Sequence, residues 1–254
     1  MLGRHHLTLS VGTVALVVLP LFPIYPVATI VALVGTAIGS LIPDADSQDA
    51  AIFHTQVSGI RGDLGDLLNA PGVLYPVFGY VTKYLIYKPA VAFYDRVVFE
   101  ERDIRERHRG FLHSFLGLGT LTVVTGIYLG IVLLLVGLAW LVGIVVFLAG
   151  YLAGAVLHLL EDSCTRSGIQ WNFPFDSWRV QGDITTSTDP ADMRYQRGFL
   201  VVLGVGAGVM FFAPLLVTAV PRVVFSLLGV VLGGFLWWVF AVRVAGCRVS
   251  GARK

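Results

Sequence analysis

The sequence predicts an all-α fold, a polytopic membrane helix bundle with about six transmembrane helices. Hydrophobic residues make up 56% of the 254 residues and charged residues only 13%, which excludes an ordinary soluble globular domain. An apolar run of about 18 residues is long enough to cross the ~30 Å hydrocarbon core of a bilayer. We therefore expect one membrane-embedded domain over residues 1–254, with spans at roughly residues 8–22, 26–43, 111–134, 138–160, 198–219 and 223–245.

The first apolar run, and the third and fourth, differ from an ordinary isolated span. The first is short and has Arg4 as its charged end, as a signal peptide would, but five further spans follow, so we interpret it as a retained helix. The third and fourth runs are nearly continuous. Gly137 lies between them and predicts a tight helical hairpin.

The placement of basic residues predicts the orientation in the membrane. With six spans, 17 of the 18 Lys and Arg residues fall on one side and only Arg222 falls on the other. An excess of Lys and Arg in loops marks the cytoplasmic face. We therefore expect a multi-pass protein of the inner (plasma) membrane, with both termini and the polar segments 44–109 and 161–197 in the cytoplasm.

The two polar segments differ in character. The first contains Leu74, Val77, Phe78, Val81 and Leu85 at helical spacing, and it is rich in tyrosines of the kind that settle at the headgroup level. We expect an interfacial amphipathic helical segment between the second and third spans. A short re-entrant segment or a seventh span is the alternative. The second segment contains several Gly and Pro residues and predicts a loop with little regular structure.

Glycine pairs four residues apart predict close helix packing. They occur at Gly126–Gly130, Gly150–Gly154 and Gly204–Gly208. Small residues at this spacing let the backbones of two membrane helices approach each other.

The two cysteines exclude a disulfide framework and a thiolate zinc motif. Cys164 and Cys247 do not form a Cys-x-x-Cys pair. Both are expected on the cytoplasmic side, where thiols stay reduced.

Two acidic motifs end the second and fourth spans. His158 and Asp162 are four residues apart, so on a helix they share one face and can share one ion. Asp44 and Asp46 follow Pro43, in a turn where both carboxylates can point at one metal. Solvated helix ends with capping acids are the structural alternative. Charge beside a membrane is costly, however, and is usually functional.

Histidines begin the first and third spans. His108 and His113 flank Gly110, which we expect to bend the chain as the third helix enters the bilayer. His6 begins the first helix. A structural histidine bonded to a neighbouring helix is the alternative for His113. We expect His5 and His54 to lie outside any shared site.

The alternation of helix direction brings all four motifs to the cytoplasmic side. Imidazole and carboxylate together suit zinc, with manganese, iron or magnesium as alternatives. The number of groups allows one ion, or two ions about 3.5–4 Å apart. The sequence therefore predicts a divalent-metal site at one end of the bundle.

These motifs, in this order, resemble the inner-membrane-associated metal-dependent hydrolases, also called LexA-binding hydrolases. The resemblance covers roughly residues 1–180 and rests on four pieces: His6-Leu7, Leu41–Asp46, His108–Ser114, and Gly150-Tyr151 followed by His158–Thr165, Gly168 and Pro174. It implies a polar centre made of His6, Asp44, Asp46, His108, His113, His158 and Asp162. Leu112 stands where Thr is common in the family, and Ser47 stands where His often follows the acid pair.

We therefore expect a metal-dependent hydrolase at the cytoplasmic membrane interface. Arg109, with Arg107, would hold an anionic oxygen, since guanidinium matches phosphate in a bidentate manner. Asp46 or Glu161 would serve as general base. The expected partners are the lipid bilayer and an amphiphilic substrate, such as a phospholipid or another phosphoester; no nucleic-acid partner is predicted. A metal-ion or solute transporter, and a structural or regulatory protein with a non-catalytic polar cluster, are the alternatives.

Overall fold

The computed structural model describes residues 2–60, 62–98, 109–138, 140–186 and 193–251. Within these ranges the chain is mostly helical with very little sheet, as the sequence predicts. The α-helices are α1 (Gly3–Val18), α2 (Pro26–Gly39), α3 (Gly62–Asn69), α4 (Leu74–Val81), α5 (Lys88–Phe93), α6 (Phe115–Leu135), α7 (Leu141–Ser163), α8 (Arg194–Leu216) and α9 (Arg222–Val239). Short 3-10 turns follow α1 and α2 and precede α6, and π-helical turns follow α4, α5 and α9.

In the described ranges, six helices are long and apolar enough to span a membrane, which confirms the predicted number. They are Gly3–Leu21, Pro26–Asp46, Phe115–Leu135, Leu141–Ser163, Arg194–Leu216 and Arg222–Val244. The first span begins at Gly3 and not at residue 8, because the polar residues of its first turns are buried against other helices. His5 and His6 are therefore part of α1 itself.

Helices α2 and α7 pack with their backbones in direct contact. Gly35 and Gly39 face the backbone of α7, and Gly150 and Gly154 face the carbonyls of Ala32 and Thr36 in α2. The predicted packing at Gly150–Gly154 is thus confirmed. The prediction for Gly204–Gly208 is wrong, since a Cβ at either glycine would meet open space. This close contact fixes the relative position of the ends of α2 and α7.

Helix α1 lies centrally and joins the two halves of the bundle. It packs against α2 and α7 on one side and against α8 and α9 on the other. Trp237 donates a 2.9 Å hydrogen bond from Nε1 to the Thr13 hydroxyl, and Leu16 contacts Gly229 of α9. Closer to its beginning, α1 lies against the end of α7, where the Ser10 hydroxyl donates a 3.0 Å bond to Glu161. The expected hairpin between α6 and α7 is also present, with Gly137 in the left-handed region at φ 75°.

Residues 62–98, between α2 and α6, are largely helical, as predicted, and their later part packs lengthwise on α6. The Tyr94 hydroxyl lies 3.3 Å from the Thr120 hydroxyl, and the Tyr128 hydroxyl donates a 3.2 Å bond to the Leu85 carbonyl. The earlier residue of each helix contacts the later residue of the other, so the two helices are antiparallel. The two contacted residues of α6, Thr120 and Tyr128, are about 12 Å apart along the helix axis, at 1.5 Å per residue.

The segment after α7 carries a small sheet that the sequence did not indicate. Strand β1 (Arg179–Gln181) pairs antiparallel with β2 (Arg248–Ser250), with Val180 opposite Val249. This pairing brings the C-terminal part of the chain back to the end of α7. The rest of the described loop is irregular, as expected.

Candidate metal centre

Four chain segments meet at one end of the bundle, and each contributes polar side chains. They are the first turns of α1, the 3-10 turn Ile42–Asp46 after α2, the 3-10 turn Phe111–His113 before α6, and the last turns of α7. The side chains that face one another there are His6, Asp44, Asp46, His113, His158 and Asp162.

The turn before α6 is set by Arg109 and Ser114. Arg109 has φ 63°, in the left-handed region, and its backbone N–H donates a 3.3 Å bond to Asp46 Oδ2. As expected, the chain bends at Gly110, which has φ −96° and ψ −113°. Ser114 caps α6 by accepting a 3.1 Å bond from the Gly117 N–H, so the helix begins at Phe115 and not at residue 111. His113 consequently lies in the turn before the helix.

The side chains of two histidines and two aspartates bring their ligand atoms close together. The Nε2 atoms of His113 and His158 are 3.2 Å apart. His113 Nε2 lies 3.5 Å from Asp44 Oδ1 and 3.6 Å from Asp162 Oδ2. His158 Nε2 lies 3.6 Å and 3.9 Å from the same two oxygens. Ligand atoms around a tetrahedral zinc with bonds of 2.0–2.1 Å are ~3.4 Å apart, so the distances among His113, His158 and Asp162 suit three ligands of one cation.

The backbone fixes the tautomer of His158. Its Nδ1 lies 2.7 Å from the carbonyl oxygen of Ser40, which can only accept a hydrogen bond. Nδ1 therefore carries the proton, and the lone pair of a neutral ring is at Nε2, which faces the carboxylates. Metal-binding histidines are usually held in this way by a carbonyl or a carboxylate.

A carboxylate lies against the outer side of His6. Its Nδ1 lies 2.8 Å from Glu161 Oε2, and the Ser10 hydroxyl donates a 3.0 Å bond to the other oxygen of Glu161. Its Nε2 lies 3.6 Å from Asp162 Oδ1. The ring stacks on that of His158 with centroids 3.8 Å apart. His6 therefore presents Nε2 to the same centre.

His113 is arranged in the same way, but the distance to its carboxylate is longer. Its Nδ1 faces Asp46 Oδ2 at 3.9 Å, on the side away from Asp44 and Asp162. All three rings thus direct Nε2 inward and have an oxygen beside Nδ1. Asp46 lies behind His113, as Glu161 lies behind His6.

The ligand atoms form two overlapping groups. Those of His6, Asp44 and His158 lie within 4.8 Å of one another, as do those of His113, His158 and Asp162. His158 belongs to both groups, and its single free lone pair can bind only one cation. The set can therefore hold one ion, or two ions of which His158 binds one.

Arg109 and Asp44 form the accessible side of the centre. The Arg109 guanidinium bonds Asp162 Oδ1 at 2.9 Å and the Thr165 hydroxyl at 3.3 Å, and it also contacts the Ser167 hydroxyl. The side chains of Arg109 and Asp44 are 17% and 20% exposed, whereas those of His6, His113, His158 and Asp162 are at most 1% exposed. A substrate would therefore approach past Arg109 and Asp44.

The remaining candidate residues lie elsewhere or outside the described ranges. His108 and Arg107, expected as a ligand and an anion-binding group, lie outside the described residues. His54 is exposed, beside a polar cavity of about 300 Å³ that Arg4 and Asp49 also line. His5 is buried in α1 and belongs to neither ligand group.

Sequence reasoning missed two residues of the centre, Ser10 and Ser40. Ser10 lies four residues after His6, so helical spacing places the two on one face of α1 and could have indicated it. Ser40 acts through its backbone carbonyl, which every residue possesses, so its side chain gives no indication of this contact.

The comparison with known families agrees with the membrane architecture. A family model described as "YdjM inner membrane protein" matches residues 1–244. No curated protein and no solved structure matches the chain.

Proposed function

Because the chain belongs to the YdjM inner membrane protein family, we propose that it is a divalent-metal-dependent hydrolase of the inner membrane. One observation carries the proposal. Three imidazoles direct Nε2 at Asp44 and Asp162, and each has an oxygen beside its Nδ1. Neutral rings oriented in this way, among buried carboxylates, match a cation site better than a network of hydrogen bonds alone.

The proposed centre lies on the cytoplasmic side of the membrane. In the six-span topology, 17 of the 18 basic residues fall on the same side of the membrane as the segments that supply the residues of the centre. An excess of Lys and Arg favours the cytoplasmic side. Both termini are then cytoplasmic as well.

Zinc is the proposed ion, with manganese, iron and magnesium as alternatives. The distances among His113 Nε2, His158 Nε2 and Asp162 Oδ2 suit three ligands of a tetrahedral ion, which leaves the fourth position for water, and nitrogen with oxygen ligands suits zinc. When bound, such an ion would polarise a phosphoryl or carbonyl oxygen and lower the pKa of a water molecule.

The carboxylates divide into two roles. Asp44 is the most exposed acid of the centre, so it is best placed to accept a proton from an entering water. Asp46 and Glu161 were predicted as bases, but they are almost completely buried on the outer sides of His113 and His6. We assign both to positioning of the imidazoles, with Asp46 also fixing the backbone of Arg109.

The proposed substrate is an anionic ester that is carried on an amphiphile. Arg109 lies on the accessible side of the centre. One guanidinium nitrogen bonds Asp162 in the centre and another bonds Thr165 at its edge, and a guanidinium matches phosphate oxygens. The centre also lies at the end of membrane-spanning helices, where the headgroups of lipids are found. A phospholipid or another phosphoester fits both features.

The proposal can be tested by measuring metal content and hydrolytic activity on the same protein sample. Protein purified in detergent without chelators should contain about one or two equivalents of zinc or a similar ion. It should hydrolyse bis-p-nitrophenyl phosphate or a phospholipid, and chelation should abolish this activity until metal is restored. Wild-type protein free of metal would refute the site, whereas metal without hydrolysis of either compound would refute only the enzymatic role.

A further inference from the structure

The two cysteines of the chain lie side by side although they are distant in sequence. Cys164 directly follows α7 and is completely buried, while Cys247 directly precedes β2 and is partly exposed. Their sulfur atoms are 3.5 Å apart. The Cys247 sulfur also lies 3.6 Å from the carbonyl oxygen of Ser163. The thiols thus meet where the C-terminal part of the chain touches the end of α7.

Backbone hydrogen bonds hold both cysteines in place. The Cys164 carbonyl accepts a 3.1 Å bond from the Ile184 N–H, and its own N–H donates to the Glu161 carbonyl at 3.1 Å. The Cys247 N–H donates a 2.9 Å bond to the Ala241 carbonyl. The pairing of β1 with β2 continues directly after Cys247. The two thiols are therefore kept together by the fold on either side of them.

We propose that Cys164 and Cys247 form a peroxide-sensitive dithiol site that is oxidised to an intramolecular disulfide. The sulfur atoms must close from 3.5 Å to ~2.05 Å, which small movements of the two chain segments can supply. The bond would fasten the C-terminal strand to the end of α7. This inference does not depend on the proposed hydrolase function.

The chemistry requires only a peroxide as oxidant. The Cys247 thiolate attacks one peroxide oxygen, the O–O bond breaks, and a sulfenic acid and hydroxide result; the hydroxide takes up the proton that the thiol released and becomes water. The Cys164 sulfur then attacks the sulfenic sulfur, the S–O bond breaks, and the second water leaves. Two thiols and one hydrogen peroxide give one disulfide and two waters. The cytoplasm keeps thiols reduced, so the dithiol is the resting form.

The order of the two steps follows from accessibility. Cys247 is the partly exposed thiol, so it is the one that a peroxide can reach. In the neutral pair the Cys247 thiol donates to Cys164, but an ionised Cys247 can accept a hydrogen bond from the Cys164 thiol, and this contact lowers the pKa of Cys247. Cys164 is buried directly beside it and is placed to resolve the sulfenic acid.

The primary test uses the wild-type full-length protein in detergent. After treatment with hydrogen peroxide and alkylation, mass spectrometry should show a monomer that has lost both free thiols and two hydrogens. Proteolysis without reductant should release a Cys164 peptide linked to a Cys247 peptide, and dithiothreitol should separate them. Two free thiols, a disulfide between two copies, or a sulfinic acid in place of the disulfide would each overturn the proposal.

Two variants test the order of attack. Cys164→Ser should accumulate a sulfenic acid at Cys247, which dimedone would trap. Cys247→Ser should leave Cys164 unmodified at the same peroxide concentration, because Cys164 is buried. Equal or faster oxidation of Cys164 in that variant, with helix content and gel-filtration profile unchanged, would contradict the assignment of Cys247 as the attacking thiol.

Discussion

The Nδ1 atom of His6 lies 2.8 Å from Oε2 of Glu161, and both side chains are at most 1% exposed. This contact joins the first helix to the end of the fourth span. It leaves Nε2 of His6 directed at Asp162, so Glu161 acts on the centre through His6. A buried carboxylate of this kind orients an imidazole and increases its basicity as a ligand.

Replacing Glu161 should therefore weaken metal binding without removing a ligand. Glu161→Gln keeps the shape of the side chain but replaces one of its two oxygens with an NH2 group, and we expect metal affinity to fall about 10–100-fold, as for other residues that support metal ligands. Titration against a competing chelator measures this. Ser10→Ala removes only the 3.0 Å bond to Glu161 and should have a smaller effect in the same direction. Unchanged affinity in Glu161→Gln would show that the contact does not support the ligand.

Single substitutions of the inward-facing groups should remove bound metal. His158→Ala and Asp162→Asn each delete one of the converging ligand atoms, so the metal content of the purified protein should fall well below that of wild type. His54→Ala is the matched control, because His54 is exposed and belongs to neither ligand group. Elemental analysis of the three variants checks this. Equal metal in His158→Ala and wild type would contradict the proposed site.

Arg109→Ala should separate substrate binding from metal binding. Because Arg109 would contact the anionic substrate and not the ion, we expect the metal content to stay near that of wild type and hydrolysis to fall at least tenfold. Arg109→Lys keeps the charge but not the bidentate geometry and should recover part of the activity. Steady-state kinetics and elemental analysis on the same samples give both readouts. Loss of metal together with activity would indicate a structural role through Asp162.

The topology can be tested by labelling in intact cells. In a background that lacks Cys164 and Cys247, a cysteine at Thr218, near Arg222, should react with a membrane-impermeant maleimide, because that loop is expected outside the cytoplasm. A cysteine at Gln48, which is also exposed but lies beside the candidate centre, should react only after the membrane is opened. Labelling at Gln48 in intact cells would reverse the orientation.

The close contact of α2 and α7 predicts a stability difference between two glycines. Gly154→Ala places a methyl group against the Thr36 carbonyl, and such overpacking costs about 1–3 kcal/mol. Gly208→Ala in α8 is the control, since its methyl group meets open space and alanine favours a helix by about 0.5–1 kcal/mol. Thermal unfolding in detergent should therefore show a lower midpoint for Gly154→Ala only. Equal midpoints would contradict the backbone contact.

The sequence by itself determined the six spans and the end of the bundle where the polar motifs meet. Span length follows from the thickness of a bilayer, and alternation of direction then places His6, Asp44, His113 and His158 on one side. The spacing of His158 and Asp162 likewise predicted that they share a helix face. These conclusions need only local composition and the number of crossings.

Only the tertiary structure decided which atoms face the centre. Whether Asp46 and Glu161 point inward or lie behind His113 and His6 depends on how α1, α7 and the turn after α2 are rotated, which no local pattern specifies. The meeting of Cys164 and Cys247 likewise depends on the pairing of β1 with β2, a contact between segments far apart in the chain. Such long-range contacts arise from packing of the whole bundle, so the spacing of residues within one segment cannot predict them.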